Sequence, residues 1–218
     1  MDEKAPVTRL NTAGMTELAV ILAQAADADL HRRVVVGIAG IAGSGKSTLA
    51  QQLAGALGQR AVFLPMDGFH RPNAELDAQG WRSRKGAPWT YDAAAYGATL
   101  ERFADMQNTG AFPVYCREAH EPVPGDQPVT ADTRVIVTEG QYLLYDHDDW
   151  RGVANVLTHR WWLEMSRTHA QAWLMQRDTS VGRTVAQAQA KYANNDALNT
   201  TLVQDAKLPA QRVLKWPD

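Results

Sequence analysis

Residues 40–47 match the phosphate-loop pattern G-x-x-x-x-G-K-[ST] at every fixed position. The β-branched run at 34–38 predicts a strand before the loop, and the residues from Lys46 onward favour a helix after it. Glycines in this context let backbone amides point at the phosphates of a nucleotide. We expect Lys46 to reach the β- and γ-phosphates and the Ser47 hydroxyl to ligate Mg²⁺. The predicted nucleotide-binding residues are Gly40, Ala42, Gly43, Ser44, Gly45, Lys46, Ser47 and Thr48.

Two carboxylates end other predicted strands. Asp67 follows the apolar run 61–66, and Glu139 follows the run that starts at Arg134. Because ligands of open α/β sheets bind outside the carboxyl ends of the strands, both carboxylates should face the same crevice as the phosphate loop. One can accept a hydrogen bond from an acceptor hydroxyl and take its proton, while the other orders magnesium-bound water. Surface or helix-capping roles remain open for both.

Several sequence blocks together identify a resemblance. Residues 40–48, 65–70 and 137–140 resemble the uridine kinase, pantothenate kinase and phosphoribulokinase-like group of small-molecule kinases, and most of all bacterial proteins labelled fructose transport system kinases. Further blocks of the same kind lie at 67–73, 84–88, 90–92, 121–125, 139–144 and 195–196. The resemblance implies a P-loop NTPase fold with ATP and Mg²⁺ as cofactors. It also implies that Asp67 is the base and that Glu139 assists the metal.

The chain departs from that family pattern at two positions near the expected acceptor pocket. Cys116 stands where relatives often have Asp, and Gln141 stands where they usually have Asn. The acceptor could therefore differ from that of relatives. The residues that we expect to bind the acceptor are Asp67, His70, Arg84, Arg117, His120 and Tyr142.

Cationic side chains are needed because phosphoryl transfer spreads negative charge over the γ-phosphate oxygens. Arg177 and Arg183 flank the segment 178–182, which we interpret as a lid turn. Either arginine could contact the transition state, or both could be solvated charges on a helix surface. Together with Asp67 and Lys46, they complete the predicted catalytic set.

The elements that must position these residues alternate between strands and helices, which predicts an α/β fold with a mostly parallel sheet covered on both faces. We expect one P-loop kinase domain over 1–218, with an N-terminal helical extension at 1–31 and a lid with flanking helices at about 166–195. Loops are predicted at 68–91 and 121–132. The apolar face near Leu18 could form a homodimer surface or simply cover the sheet. The other predicted elements are strands at 113–115, 159–165 and 212–216 and helices at 16–29, 92–108, 166–176 and 184–193.

Composition narrows the functional classes. The 218 residues carry 22 basic and 24 acidic side chains, a net charge of −2, which disfavours a nucleic-acid-coating protein. No apolar run approaches a membrane span, and the lone Cys116 excludes an internal disulfide, so we expect a cytoplasmic protein. A dinucleotide site is disfavoured because Thr48 stands where G-x-G-x-x-G requires glycine or alanine.

The resulting hypothesis is an ATP- and Mg²⁺-dependent kinase that phosphorylates a hydroxyl of a small polar metabolite, such as a sugar, a nucleoside or a pantothenate-like alcohol. A nucleotide-binding regulatory ATPase without a small-molecule acceptor remains the alternative. A nucleotide binder without turnover is a third possibility, favoured by the departures at Cys116 and Gln141.

Overall fold

The computed structural model describes residues 5–125 and 128–217. The strands are β1 (Val7–Arg9), β2 (Val34–Ala39), β3 (Ala61–Pro65), β4 (Pro113–Cys116), β5 (Glu121–Pro124), β6 (Val135–Gly140), β7 (His159–Glu164) and β8 (Arg212–Lys215). The helices are α1 (Thr12–Ala28), α2 (Lys46–Leu57), α3 (Asn73–Ala78), α4 (Ala93–Ala104), α5 (Asp148–Val156), α6 (Arg167–Ser180), α7 (Val185–Lys191) and α8 (Ala197–Asp205), with a π-helical turn at Tyr192–Asp196 between the last two. Six strands form one sheet in the order β1-β8-β7-β2-β6-β3, and every neighbouring pair runs parallel. Strands β4 and β5 form a separate antiparallel hairpin.

Every residue of the central strands β2 and β6 is buried, which explains their nearly continuous apolar runs. On one face of the sheet, leucines of α1 and α2 pack around Trp161. On the other face, α4 and α5 pack around Tyr96 and Trp150. The structure therefore confirms the predicted fold class, a parallel sheet between two helical layers.

Side-chain caps begin two of the predicted helices. The Asp92 carboxylate accepts a hydrogen bond from the Ala95 amide at 2.8 Å, and the Ser166 hydroxyl accepts one from the His169 amide at 3.2 Å. Helix α4 ends at Ala104, four residues before the predicted end. The following backbone is instead fixed by hydrogen bonds to a buried arginine that precedes β2.

Some elements differ from the prediction. The segment predicted as a helical extension also contributes β1, and the predicted loop 121–132 contains β5. The predicted loop 68–91 contains α3, while α5 and α8 lie where no helix was predicted. Strands β1 and β5, of three and four residues, were missed because such short segments rarely show periodicity, and they are defined by their partners, as the pairing of Val7 with Val213 illustrates.

Helix α1 covers the sheet with its apolar face. Leu18 and Leu22 are fully buried against α2 and β2, so this face is used inside the fold. Among the described residues, none of the helices has the length and apolarity that crossing a bilayer requires.

Candidate active site

The phosphate loop connects β2 to α2 and is shaped by its glycines. Gly43 and Gly45 have φ angles of 77° and 88°, in the left-handed region that favours glycine. A Cβ at Gly40 would lie 2.8 Å from a carbonyl oxygen of β7, and a Cβ at Gly43 would lie 2.5 Å from the carbonyl oxygen of Ala170. The backbone can therefore form a concave cradle only with glycine at these positions.

The lysine, serine and glutamate predicted to meet the nucleotide lie together at the start of α2. The Lys46 side chain is buried, and its Nζ donates to the Ile41 carbonyl oxygen at 2.9 Å. Ser47 Oγ, in the first turn of α2, donates to Glu139 Oε1 of β6 at 3.0 Å. Burial lowers the pKa of Lys46 and raises the pKa of Glu139 to about 7, while the opposite charge of each favours the ionised form of the other. Two oxygens suited to Mg²⁺ thus lie in contact beside the cradle.

Asp67 lies at the same edge of the sheet. It occupies the 3₁₀ turn Met66–Phe69, directly after β3, the strand next to β6. Its side chain is about half exposed, with 47% of its surface open to solvent, and its Oδ1 accepts a hydrogen bond from Tyr91 Oη at 3.4 Å. The negative charge of Asp67 also raises the pKa of Glu139. Asp67 is therefore an accessible carboxylate in the electrostatic neighbourhood of the phosphate loop.

An aromatic wall borders Asp67. The His70 ring lies between those of Tyr91 and Tyr115, with centroid distances of 4.0 Å and 4.8 Å. Burial lowers the pKa of His70, whereas the charge and the carbonyl oxygen of Asp67 act in the opposite direction. The His70 Nδ1 lies 2.9 Å from that carbonyl oxygen, which favours a proton on this nitrogen. Neither tyrosine was predicted as a site residue, although the sequence block at 90–92 contains Tyr91.

The β4–β5 hairpin carries two of the predicted acceptor-binding residues in its turn. Arg117 is exposed, and its positive charge lowers the pKa of Glu139. The charge of Arg117 therefore acts on a residue of the candidate site. His120 has a φ of 51°, and its carbonyl oxygen accepts hydrogen bonds from Asn73 Nδ2 at 3.1 Å and Lys85 Nζ at 2.6 Å. The contacts of His120 thus involve its backbone, and they anchor the hairpin to the start of α3 and to the loop after it.

Arg84 does not lie free in the pocket. Its Nε donates to Asn195 Oδ1 at 3.2 Å, its Nη2 donates to Asn199 Oδ1 at 3.1 Å, and the guanidinium carbon lies 5.4 Å from the centre of the Trp89 ring. Because Nε and Nη2 already have these internal partners, the structure favours a loop-anchoring role over the predicted contact with the acceptor.

Tyr142 and Gln141 belong to the same anchoring network. The Gly86 carbonyl oxygen accepts from Tyr142 Oη at 2.6 Å, Gln141 Nε2 at 3.2 Å and Asn199 Nδ2 at 3.1 Å, and we call this three-donor contact the Gly86 clasp. Because the Tyr142 ring is fully buried, its geometry favours positioning of this loop over the direct substrate contact suggested by the sequence. Gln141, which departs from the family pattern, thus helps to hold the loop that carries Gly86.

The two predicted lid arginines have different surroundings. Arg177, in the last turn of α6, lies 3.5 Å from Asp178 through its Nη2, and its charge lowers the pKa of Lys46. Arg183 is exposed in the turn before α7, where its backbone amide donates to the Asp178 carbonyl oxygen at 3.1 Å. Of the two, Arg177 is the one whose charge acts on the phosphate loop.

The residues present fit a nucleotide and its magnesium ion. The glycine cradle, the buried Lys46 and the Ser47–Glu139 pair supply a concave anion site beside two oxygen ligands. The Ser44 hydroxyl is fully buried without a hydrogen-bond partner in the described part of the chain, which is typical of a group that serves a ligand. Because Mg²⁺ usually retains water and phosphate ligands, one or two protein oxygens suffice.

Comparison with known proteins gives a consistent assignment. The model of the Phosphoribulokinase / Uridine kinase family matches residues 35–199. A Schizosaccharomyces pombe protein provisionally named as a uridine kinase is 29% identical over 85% of this chain and 84% of its own length. The Escherichia coli K12 protein YggC, itself uncharacterized, is 34% identical over 79% of this chain and 73% of its own length.

A crystal structure from Silicibacter sp. TM1040, provisionally described as a fructose transport system kinase, superposes with a TM-score of 0.81 at 33% identity and covers 92% of this chain and 98% of its own. The family match extends over most of the chain and contains the phosphate loop and both strand-end carboxylates. The chain therefore belongs to the phosphoribulokinase / uridine kinase family and is a P-loop small-molecule kinase, an ATP-dependent phosphotransferase that acts on an alcohol group.

Proposed function

We propose that this kinase transfers the γ-phosphoryl group of ATP, bound with Mg²⁺, to a hydroxyl of a small polar metabolite. The observation that carries the proposal is the order of three adjacent strands. Strand β2 leads into the phosphate loop, β6 carries Glu139 in contact with Ser47, and β3 leads to the accessible Asp67. The phosphate loop, the candidate metal ligands and the candidate base thus lie at the carboxyl ends of the strands, where ligands of such folds bind.

Each residue has a distinct task in the transfer. The backbone amides of the loop and Lys46 would hold the phosphates, and Ser47 and Glu139 would hold Mg²⁺, which would neutralise charge on the phosphate oxygens. Asp67 orients the acceptor hydroxyl and takes its proton late in the reaction. The acceptor oxygen forms a bond to the γ-phosphorus as the bond from that phosphorus to the bridging oxygen breaks, and ADP departs with the electron pair.

Stabilisation of the charge on the transferring phosphoryl group should contribute as much to the rate as the general base does. General-base catalysis contributes about 10²–10⁴-fold, whereas an arginine that contacts the transferring group can contribute roughly 10³–10⁵-fold. Arg177 is the arginine that we assign to this task, because its charge already acts on Lys46. Arg177→Gln should therefore lower kcat at least as strongly as Asp67→Asn.

The surroundings of Asp67 suit a small polar acceptor. The His70 ring, the adjacent tyrosines and the charge of Arg117 offer ring faces and a cationic group beside the candidate base. A sugar, a nucleoside or a pantothenate-like alcohol has the hydroxyl that such a site would use.

Release of ADP from Mg-ATP tests the proposal across a panel of sugars, nucleosides, pantothenate-like alcohols and vitamins. A kinase releases little ADP until the right hydroxyl compound is added, whereas a regulatory ATPase releases ADP independently of any acceptor. Lys46→Ala should abolish turnover and retain the fold. Lys215→Ala, which removes an exposed lysine paired with Glu164, is the matched control and should retain turnover. Unchanged ADP release by Lys46→Ala would contradict the assignment.

A further inference from the structure

Trp216 contacts the phosphate loop from a distant part of the chain. It follows β8 directly, and its indole Nε1 donates a hydrogen bond to the Ser44 carbonyl oxygen at 2.8 Å. A Cβ placed on Gly45 would lie 3.1 Å from the same indole nitrogen, so the ring also packs against the loop. Trp216 lies outside residues 35–199, the part of the chain that matches the family.

The hydrogen bond from Trp216 to the Ser44 carbonyl oxygen also sets the direction of the Gly45 N–H. In a planar trans peptide the C=O of one residue and the N–H of the next point in opposite directions. Holding the Ser44 oxygen toward Trp216 therefore directs the Gly45 amide away from the indole. Without such a constraint the Ser44–Gly45 peptide could rotate readily, because glycine permits many backbone conformations.

The indole is mounted on a rigid support. Strand β8 pairs with β7 along Trp161–Glu164 and with β1 along Val7–Arg9. The Leu10 amide donates to the Lys215 carbonyl oxygen at 2.8 Å, immediately before Trp216. The position of the indole is thus set by the sheet and not by the phosphate loop that it contacts.

We propose that Trp216 is a positioning residue of the nucleotide site, which holds the Ser44–Gly45 peptide so that the Gly45 amide faces the phosphates. This inference rests on the nucleotide site of the proposed function and not on the identity of the acceptor. A lost hydrogen bond of this kind corresponds to a roughly two- to tenfold weaker affinity for a nucleotide whose β-phosphate the loop holds.

Calorimetric titration of the full chain with MgADP and with AMP tests the proposal. Trp216→Phe keeps an aromatic ring but loses the donor, and it should weaken MgADP binding while changing AMP binding little, since AMP has no β-phosphate. Trp173→Phe makes the same chemical change at a tryptophan with 63% of its surface exposed, and it should bind like the wild type. A variant that only loses stability would melt at a lower temperature with an unchanged ratio of the two affinities, and that result would overturn the role of Trp216.

Hydrogen exchange separates the positioning role from a general loss of stability. Without ligand, Trp216→Phe should exchange faster than the wild type in the segment 40–48 and at an unchanged rate in β8, because the sheet holds β8 independently of the indole. Unchanged exchange of the segment 40–48 would overturn the positioning role. Wild-type protein that binds no MgADP would refute the nucleotide site itself, whereas equal MgADP affinity of wild type and Trp216→Phe would refute only the positioning role.

Discussion

Replacement of Arg33 by methionine should destabilise the protein strongly without touching the nucleotide site. Arg33 immediately precedes β2, at the end of the sheet opposite the phosphate loop, and only 1% of its surface is exposed. Its guanidinium donates hydrogen bonds of 2.6–3.3 Å to six backbone carbonyl oxygens, those of Phe103, Asp105, Met106, Asn108, Thr130 and Thr133. Methionine occupies similar space but supplies no donor.

The expected magnitude follows from the burial of these bonds. The bonds to Phe103 and Thr133 are buried, and each orphaned carbonyl there costs about 1–3 kcal/mol. The other four bonds are partly buried, so water can replace the lost donor. We therefore expect Arg33→Met to lower the free energy of unfolding by about 3–5 kcal/mol, a large part of the ~5–15 kcal/mol typical of a domain. Arg33→Lys, with three donors, should lose about half as much.

Urea unfolding followed by circular dichroism measures this difference. Arg32→Met is the matched control, because the neighbouring Arg32 pairs with Glu101 at 3.0 Å while about half of each side chain is exposed, and such a pair contributes at most about 1 kcal/mol. The folded Arg33→Met protein should bind MgADP with wild-type affinity. A loss no larger than that of Arg32→Met would refute the reasoning that carbonyl pairing by Arg33 stabilises this end of the sheet.

Three further predictions concern the site. Asn199→Ala removes one donor of the Gly86 clasp, so hydrogen exchange of the loop that carries Gly86 should become faster while MgADP affinity stays constant; unchanged exchange would contradict the anchoring role. Burial lowers the pKa of His70, so the unfolded chain takes up its proton first as the pH falls, and the contribution of His70 to stability should decline below about pH 6.5. The stability of His70→Gln relative to the wild type should therefore rise between about pH 7.5 and about pH 5.5 in chemical unfolding, and a constant difference would contradict this. Gly45→Ala should weaken MgADP binding about tenfold or more, because its φ is 88° and the new Cβ would meet the Trp216 indole. Gly55→Ala is the control in the same calorimetric titration. It should bind like the wild type, because no atom lies within 4 Å of its Cβ.

The nucleotide half of the site could be predicted from sequence because its residues are local. The phosphate-loop pattern spans eight consecutive positions and fixes four of them, and the adjoining strand and helix are visible as an apolar run and a helix-favouring run. Asp67 and Glu139 could be placed because parallel strands all end at one edge of the sheet. The contacts of Glu139 with Ser47 and of Asp67 with Tyr91 depend on the strand order, which periodicity alone does not define.

The acceptor half of the site was harder to predict from sequence, because the same residue types serve contacts with a ligand and contacts within the protein. Arg84 and Tyr142 have the side chains that a binding pocket would use, yet asparagines more than one hundred residues away occupy Arg84, and the Gly86 carbonyl occupies the Tyr142 hydroxyl. The bond from Trp216 to Ser44 spans 172 residues, and nothing near either residue indicates the other. Contacts of this range depend on the assembled sheet.

The pairing of β1 with β8 has a consequence for synthesis on the ribosome. Val7 pairs with Val213, so the first strand emerges about 200 residues before its partner, roughly 10–40 s earlier at typical rates of translation. During that interval the backbone groups of β1 have no strand to bond, and the phosphate loop lacks the indole that β8 carries. A nascent chain is therefore expected to gain its full affinity for nucleotide late, when the segment around Trp216 joins the sheet, and premature capture of ATP by an unfinished kinase is disfavoured.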